Sequence, residues 1–132
     1  MEKQIAALAT DEEHVVMWDI DSLLAELETT PSVPVATLKL IPKKWLTIDK
    51  TYSKATDPSK PIVLFEITDN KVYVADGNHR LYRAATEGIP MMNVVLVPEK
   101  THLKYLFHSS VEDYYEVIKG LMSESVFIDC PF

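Results

Sequence analysis

Residues 72–85 have the sequence VYVADGNHRLYRAA, which passes from an apolar run across one glycine into a helical pattern. The run Val72–Ala75 is typical of a buried strand. Gly77 follows it, and the next apolar residues recur at the spacing of a helix with one apolar face. The core-facing positions of this helix are Leu81, Ala84 and Ala85. We therefore predict a strand, a glycine turn and a helix over Leu81–Glu87 that ends at Gly88, a residue suited to the left-handed cap.

The turn Asp76-Gly77-Asn78-His79-Arg80 has the composition of an anion site. The first N–H groups of a helix lack intrahelical partners, and the helix dipole adds about half a positive charge there. Gly77 allows a ligand to approach the backbone, Arg80 offers a planar fork of donors, and His79 can donate a hydrogen bond or move a proton. The structural alternative is a plain turn in which Asp76 or Asn78 caps the helix and Arg80 lies on the surface.

On either side of this segment the pattern predicts further strands of one sheet. Ile62–Phe65 is continuously apolar, as in a strand buried on both faces. Asp69-Asn70 then turns the chain, which predicts a hairpin over Ile62–Ala75. A further strand is predicted at Met92–Val97. The expected arrangement is one sheet with the Leu81–Glu87 helix packed on it.

The N-terminal part of the chain contains fewer strong signals. Residues 1–18 hold an acidic cluster and are interpreted as a loosely attached arm. A helix is predicted to begin at Asp19 or Asp21, either of which can cap it. Val35–Ile41 is predicted as a strand, and the residues from Lys43 to Lys60 as a long irregular loop. The expected core face of that strand holds Leu38 and Leu40.

The C-terminal third predicts a helix, because apolar residues from Val111 to Met122 lie three and four apart. Ser109 or Ser110 can cap its start. Residues 19–125 are therefore expected to form one domain, followed by a tail at 126–132. The fold class expected is α+β, with a small mixed sheet covered by helices.

Composition narrows the classes of function. The 132 residues are 47% hydrophobic and 25% charged, as in a globular protein. The single Cys130 cannot form an intramolecular disulfide, and no apolar run approaches ~20 residues or resembles a secretory leader. A cytoplasmic protein without a membrane partner is expected. Since 13 basic residues face 20 acidic ones, for a net charge of −7, nucleic acid is not expected as a partner.

The DGNHR turn, followed by Ala84-Ala85 and Gly88, resembles the DGxHR form of the ParB/sulfiredoxin signature. The strand leading into Leu40-Ile41-Pro42 resembles the first conserved box of that family. The resemblance extends over roughly residues 35–97. It implies a ParB/sulfiredoxin-like fold that handles a nucleotide or another phosphorylated ligand, since members bind CTP, use ATP, phosphorylate serine or are described as nucleases.

Carried over residue by residue, the resemblance implies that Gly77 and Arg80 contact phosphate, together with Asn78 and His79. Asp76 matches the acidic residue of the kinase-like and nuclease-like branches, where it acts as a base or beside a metal. Asn78 stands where sulfiredoxins carry their cysteine, so sulfiredoxin chemistry is not expected. Lys43-Lys44 follow Pro42, where family members extend a loop toward the nucleotide.

The function predicted from these residues is binding of a nucleotide or phosphorylated small molecule. Phosphotransfer or nucleotide hydrolysis through Asp76 and His79 is an open extension, in which the cofactor would be a nucleotide with Mg. No metal ligands are assigned. The first alternative is a catalytically silent interaction module that binds a protein through the C-terminal helices, with Tyr114 and Tyr115 at the contact. The second is a metal-dependent nuclease using Asp76.

Overall fold

The computed structural model describes residues 4–43, 45, 48–68, 70–124 and 126–132. The strands are β1 (Ile5–Ala9), β2 (Val15–Asp19), β3 (Val33–Ala36), β4 (Ile62–Ile67), β5 (Lys71–Asp76), β6 (Met91–Val97) and β7 (Ile128–Asp129). The α-helices are α1 (Ile20–Glu26), α2 (Lys50–Ala55), α3 (Asn78–Thr86), α4 (Glu99–His102) and α5 (Val111–Leu121). Short 3-10 turns occur at 27–29, 37–39 and 103–105. The described part of the chain contains no helix long and apolar enough to cross a membrane.

Five strands form one mixed sheet in the order β3-β6-β4-β5-β7. β4 and β6 pair in parallel, and the other neighbours pair antiparallel. The predicted α+β class is confirmed, as is the β4–β5 hairpin, in which Phe65 lies opposite Tyr73. Asn70 adopts a positive φ of 59° in the connecting turn, a conformation that asparagine tolerates. Asp69, the other predicted turn residue, lies outside the described residues.

The continuous apolar run of β4 is explained by two cores, one on each face of the sheet. Val63 and Phe65 belong to the core that includes α5, whereas Ile62 and Leu64 belong to the core that includes α3. Because side chains alternate along a strand, a strand covered on both faces must be apolar at every position. The predicted burial on both faces is confirmed.

Helix α3 packs its apolar stripe into the second of these cores, where Leu81 and Ala84 are buried. It begins three residues before the predicted start, at Asn78. Gly88 has a φ of +70°, so the predicted left-handed residue after the helix is confirmed. The helix therefore starts directly at the end of β5, with only Gly77 between them.

Residues 5–19 form an antiparallel hairpin and are not a loosely attached arm. Val16 and Trp18 of β2 are fully buried, and the Trp18 ring lies 5.2 Å from Phe65 and 6.0 Å from Tyr114, centroid to centroid. The alternation of buried and exposed positions along both strands is the period-two signal of a half-buried hairpin. The acidic cluster that suggested an arm lies at the turn between the two strands.

The residues interpreted as a tail also belong to the fold. β7 pairs with the free edge of β5, where Val72 lies opposite Ile128. Phe127 and Ile128 are buried. The domain therefore extends past the predicted boundary at residue 125, because a two-residue strand covers an otherwise exposed sheet edge.

Two local predictions in residues 35–60 are wrong. β3 ends at Ala36 and a 3-10 turn follows, so Leu38 is 84% exposed while Leu40 is fully buried. The predicted irregular loop contains α2, whose N-cap Asp49 accepts a hydrogen bond from the N–H of Tyr52. Helix α2 has only six residues and a single buried one, Ser53, so it carries no apolar periodicity.

The predicted C-terminal helix is confirmed as α5. Ser110 caps it through a capping box with Asp113. Tyr114 and Ile118 lie on the predicted apolar face and are buried, so Tyr114 is not at the protein contact expected for it, whereas Val111 and Tyr115 are 43% and 45% exposed. The buried face of α5 therefore differs from the predicted apolar face. It includes Val117 and leaves Val111 and Tyr115 exposed.

Candidate functional site

The turn between β5 and α3 depends on Gly77. Its φ is +100°, a value that residues with a Cβ rarely adopt. A Cβ at this position would lie 2.5 Å from Cγ2 of Ile62 and 3.0 Å from Nη2 of Arg80. Only glycine fits at this position. Because it has no side chain, the end of β5 and the start of α3 can lie close together.

Among the residues that the structure describes, no side chain caps the first turn of α3. Gly77 is the N-cap residue, and Asn78 donates through Nδ2 to the carbonyl oxygen of Val74 at 2.9 Å. The first intrahelical bond joins the N–H of Leu81 to the carbonyl of Gly77. The interpretation of Asp76 or Asn78 as the cap is therefore wrong, and the backbone N–H groups of the first turn donate to neither side chain.

Asp76 and Arg80 form an ion pair that holds the turn together. Nη2 of Arg80 lies 3.1 Å from Oδ2 of Asp76 and donates to the carbonyl of Pro61, also at 3.1 Å. Oδ1 of Asp76 accepts from Nε2 of Gln4 at 2.8 Å. The side chains of Arg80 and Asp76 are only 19% and 14% exposed. Arg80 is thus mostly buried beside the turn, which differs from the surface position of the structural alternative.

His79 joins α3 to the start of α2. The backbone N–H of Asp49 donates to Nε2 of His79 at 3.1 Å, and the Tyr52 ring meets the imidazole edge to face at 4.7 Å. An Nε2 that accepts a hydrogen bond carries no proton, so in the neutral ring the proton is on Nδ1. His79 is therefore positioned as an Nδ1–H donor, and Nε2 is not free to act as a base.

A cavity of about 420 Å³ lies at this turn. Asp76, Gly77, Asn78 and His79 line it together with residues 5–7 of β1. The structure thus brings together four of the predicted site residues and adds a wall from the N-terminal hairpin. The sequence of β1, IAALA, is apolar at every position and has no period-two alternation, so the interpretation of residues 1–18 as an arm missed this wall.

Lys43 lines a different cavity, of about 360 Å³, together with Lys39, Lys71 and Asp129. The pKa of Asp129 lies below its ordinary value, first because Lys71 donates a hydrogen bond to it and then because of the positive charges of Lys71 and Lys43. The structure therefore does not bring Lys43 to the cavity at Asp76–His79. Lys44 lies outside the described residues.

The polar groups around the cavity determine what it can bind. Backbone N–H groups of the first α3 turn are donors and His79 lines the cavity, while Asp76 is the acidic side chain and is already paired with Arg80. Within the described residues, no three His, Cys, Asp or Glu side chains lie close enough together to hold a metal ion. Comparison of the chain with protein-family models, curated proteins and solved structures finds no match.

Proposed function

We propose that this chain binds a phosphorylated small molecule of the nucleotide class in the cavity at the start of α3. The observation that carries the proposal is that the first turn of α3, which no described side chain caps, lines a cavity of about 420 Å³. Unpaired N–H groups and the positive end of the helix dipole favour an anion there. The cavity also falls in the size range of small-ligand sites.

In this proposal the donors are the backbone N–H groups of Asn78 and His79 and the Nδ1–H of His79. Arg80 contributes positive charge and fixes the turn, because its Nη2 already donates to Asp76 and Pro61. Gly77 allows the ligand to approach the backbone. The resemblance of the DGNHR turn to the ParB/sulfiredoxin signature supports a phosphate ligand, and the strand-glycine-helix arrangement in a mixed α+β fold is the context which that resemblance requires.

Binding is favoured over catalysis by the hydrogen bonds of the two proposed catalytic residues. Both carboxylate oxygens of Asp76 have partners, in Gln4 and Arg80. Nε2 of His79 accepts from the backbone of Asp49. A general base must reach the proton that it removes, so a reaction through His79 would require the bond at its Nε2 to break. Asp76 would have to act while its oxygens already accept from Gln4 and Arg80.

A second candidate function, a protein-interaction module, is favoured by the outer face of α5. Val111 and Tyr115 are both exposed there, and the hydroxyl of Tyr115 lies 3.3 Å from Glu99. Aromatic side chains at such positions are frequent in protein interfaces. This candidate and ligand binding use separate surfaces, so the experiment below distinguishes them.

Isothermal titration calorimetry with AMP, ADP, ATP, CTP and adenosine tests the proposal. We expect heat of binding from the phosphorylated compounds and none from adenosine, because the site recognises the phosphate. Ala7 and Ala9 are both exposed on β1, but only Ala7 lines the cavity. Ala7→Glu, which places a negative charge at the cavity, should weaken binding by about tenfold or more, and Ala9→Glu by less than about twofold.

Equal weakening by the two variants would argue against this location. Absence of binding by every phosphorylated compound would reject the proposal and leave the interaction module as the better hypothesis.

A further inference from the structure

A second cavity, of about 450 Å³, lies between α2 and α3 and shares no lining residue with the cavity at Asp76–His79. We call it the α2–α3 cleft. Its α2 side includes Lys50 and Lys54, and its α3 side includes Tyr82, Arg83 and Thr86. The proposed function does not use this cleft.

The cleft concentrates positive charge in an acidic chain. Lys50 and Lys54 are four residues apart, so they share one side of α2. Within the described residues neither ammonium group has an ion-pair partner. Like charges at this spacing destabilise a helix, and a bound anion would remove that repulsion.

The remaining charges of the cleft are already paired. Nε of Arg83 donates to Glu87 at 2.5 Å, and its Nη1 donates to the carbonyl of Thr56. This ion pair with Glu87 fixes the Arg83 guanidinium in the wall of the cleft. Asp57, whose charge is near Arg83, accepts from the N–H and the hydroxyl of Ser59. The two lysines are the cations left to bind a ligand.

Tyr82 gives the cleft an aromatic surface. The Tyr82 ring contacts the Trp45 ring edge to face, with centroids 5.3 Å apart, which restrains its orientation. In the described part of the chain the Tyr82 hydroxyl has no hydrogen-bond partner. A flat ring could stack on Tyr82 and still reach both lysines with an anionic group.

We infer that the α2–α3 cleft binds an aromatic phosphate monoester. A phosphate monoester carries nearly two negative charges at pH 7, which matches two unpaired ammonium groups better than a carboxylate does. The aromatic group packs on Tyr82, and the phosphate lies between Lys50 and Lys54. This inference is independent of the proposed function.

NMR titration of the ¹⁵N-labelled chain with phenyl phosphate tests the inference. Inorganic phosphate lacks the ring and benzyl alcohol lacks the charge, so both serve as matched compounds. We expect shifts at residues 50–54 and 82–86, and an affinity for phenyl phosphate about tenfold higher than for either control. Shifts confined to Ala7 and residues 76–79 would overturn the inference and leave the proposed function intact.

Charge removal gives the second test. The double variant Lys50→Gln, Lys54→Gln should weaken phenyl phosphate binding by about tenfold. Lys100→Gln with Lys119→Gln removes the same charge from exposed positions outside the cleft and should change the affinity by less than about twofold. An equal effect of both double variants would show a general response to net charge and would overturn the inference.

Discussion

Nη2 of Arg80 lies 3.1 Å from Oδ2 of Asp76, four residues earlier at the end of β5, and the same nitrogen donates to the carbonyl of Pro61 before β4. One side chain therefore ties the start of α3 to the ends of two neighbouring strands. Because Gln4 donates to the other oxygen of Asp76, the network also reaches the residue before β1. The Asp76–Arg80 turn is thus a structural junction as well as a candidate binding site.

Arg80→Ala should reduce the free energy of unfolding by about 1–3 kcal/mol, because it leaves the mostly buried Asp76 carboxylate and the Pro61 carbonyl without their donor. Urea denaturation measures this change. A double-mutant cycle with Asp76→Ala should give a coupling free energy above about 0.5 kcal/mol, since the two side chains are in contact. Additive effects would mean that the ion pair contributes nothing measurable.

Gly77→Ala should destabilise the fold more than Gly88→Ala. Both glycines have a positive φ, so both variants lose about 1–2 kcal/mol from backbone strain. A Cβ at Gly77 also meets Ile62 at 2.5 Å, whereas a Cβ at Gly88 meets no atom within 4 Å. Overpacking adds about 1–3 kcal/mol, which thermal or urea denaturation of the two variants would resolve. Equal losses would mean that the turn relaxes around the added methyl group.

Trp18→Ala should reduce the free energy of unfolding by about 3–5 kcal/mol, the range for removing a large buried aromatic side chain. Trp18 is fully buried, and its ring contacts those of Phe65, Tyr73, His102 and Tyr114. Val111→Ala on the exposed side of α5 is the control and should change stability by less than about 0.5 kcal/mol. A small effect of Trp18→Ala would mean that the N-terminal hairpin is dispensable.

The sequence predicted those elements whose signal is local and strong. β4 and β6 are apolar runs, α3 and α5 have helical periodicity, and Gly88 marks a helix end. Such elements follow from the burial of their own side chains. The two edge elements were missed for a different reason, since β1 and β7 become strands only through the partners that the tertiary fold provides.

The candidate site was predicted only in part, for the same reason. The turn itself could be located because a strand, a glycine and a helix follow one another in the sequence. Three other features of the site join residues that are far apart in the chain. They are the cavity wall from β1, the bond from Asp49 to His79 and the Asp76–Gln4 contact. Lys43 was assigned to the site only because it follows Pro42, as in the resembled family. The structure places Lys43 at another cavity, so its position in the sequence did not predict its position in the fold.

Because of His102, we expect the free energy of unfolding to fall as the pH is lowered. It is fully buried and stacked on Phe65 at 4.4 Å. Its Nε2 donates to the carbonyl of Glu66, and its Nδ1 has no hydrogen-bond partner among the described residues. Burial lowers the pKa of His102 from its ordinary value of 6.5. The unfolded chain therefore binds a proton at a higher pH than the folded chain, and stability is lost as the pH falls below 6.5.

Urea denaturation at pH 7.5, 6.5 and 5.5 measures this dependence. The loss attributable to His102 should be on the order of 1 kcal/mol and should be absent in His102→Phe, which is less stable at every pH but has a flatter profile. His14 should have the opposite effect on the pH dependence of stability, because its hydrogen bond and ion pair with Asp11 raise its pKa. His14→Gln should therefore leave the loss at low pH in place, and an unchanged slope in His102→Phe would contradict the assignment.

Asp76→Asn separates a binding site from a catalytic one. The change removes the negative charge and keeps the shape, so Asn can still accept from Gln4 but no longer forms an ion pair with Arg80. If the site only binds phosphate, calorimetry should show an affinity for ATP that is unchanged or a few times tighter, because a nearby negative charge is lost.

If Asp76 is a base or holds a metal, the same variant behaves differently. Hydrolysis of ATP by the wild type, measured as phosphate release with Mg²⁺ or Mn²⁺, would fall by about 10²–10⁴-fold, the contribution of a positioned acid or base. We expect no metal-dependent phosphate release by the wild type, because Asp76 is already paired with Arg80 and, within the described residues, no cluster of three His, Cys, Asp or Glu side chains could hold the metal ion. Release by the wild type that disappears in Asp76→Asn, with ATP affinity retained, would establish catalysis and reject the binding-only proposal.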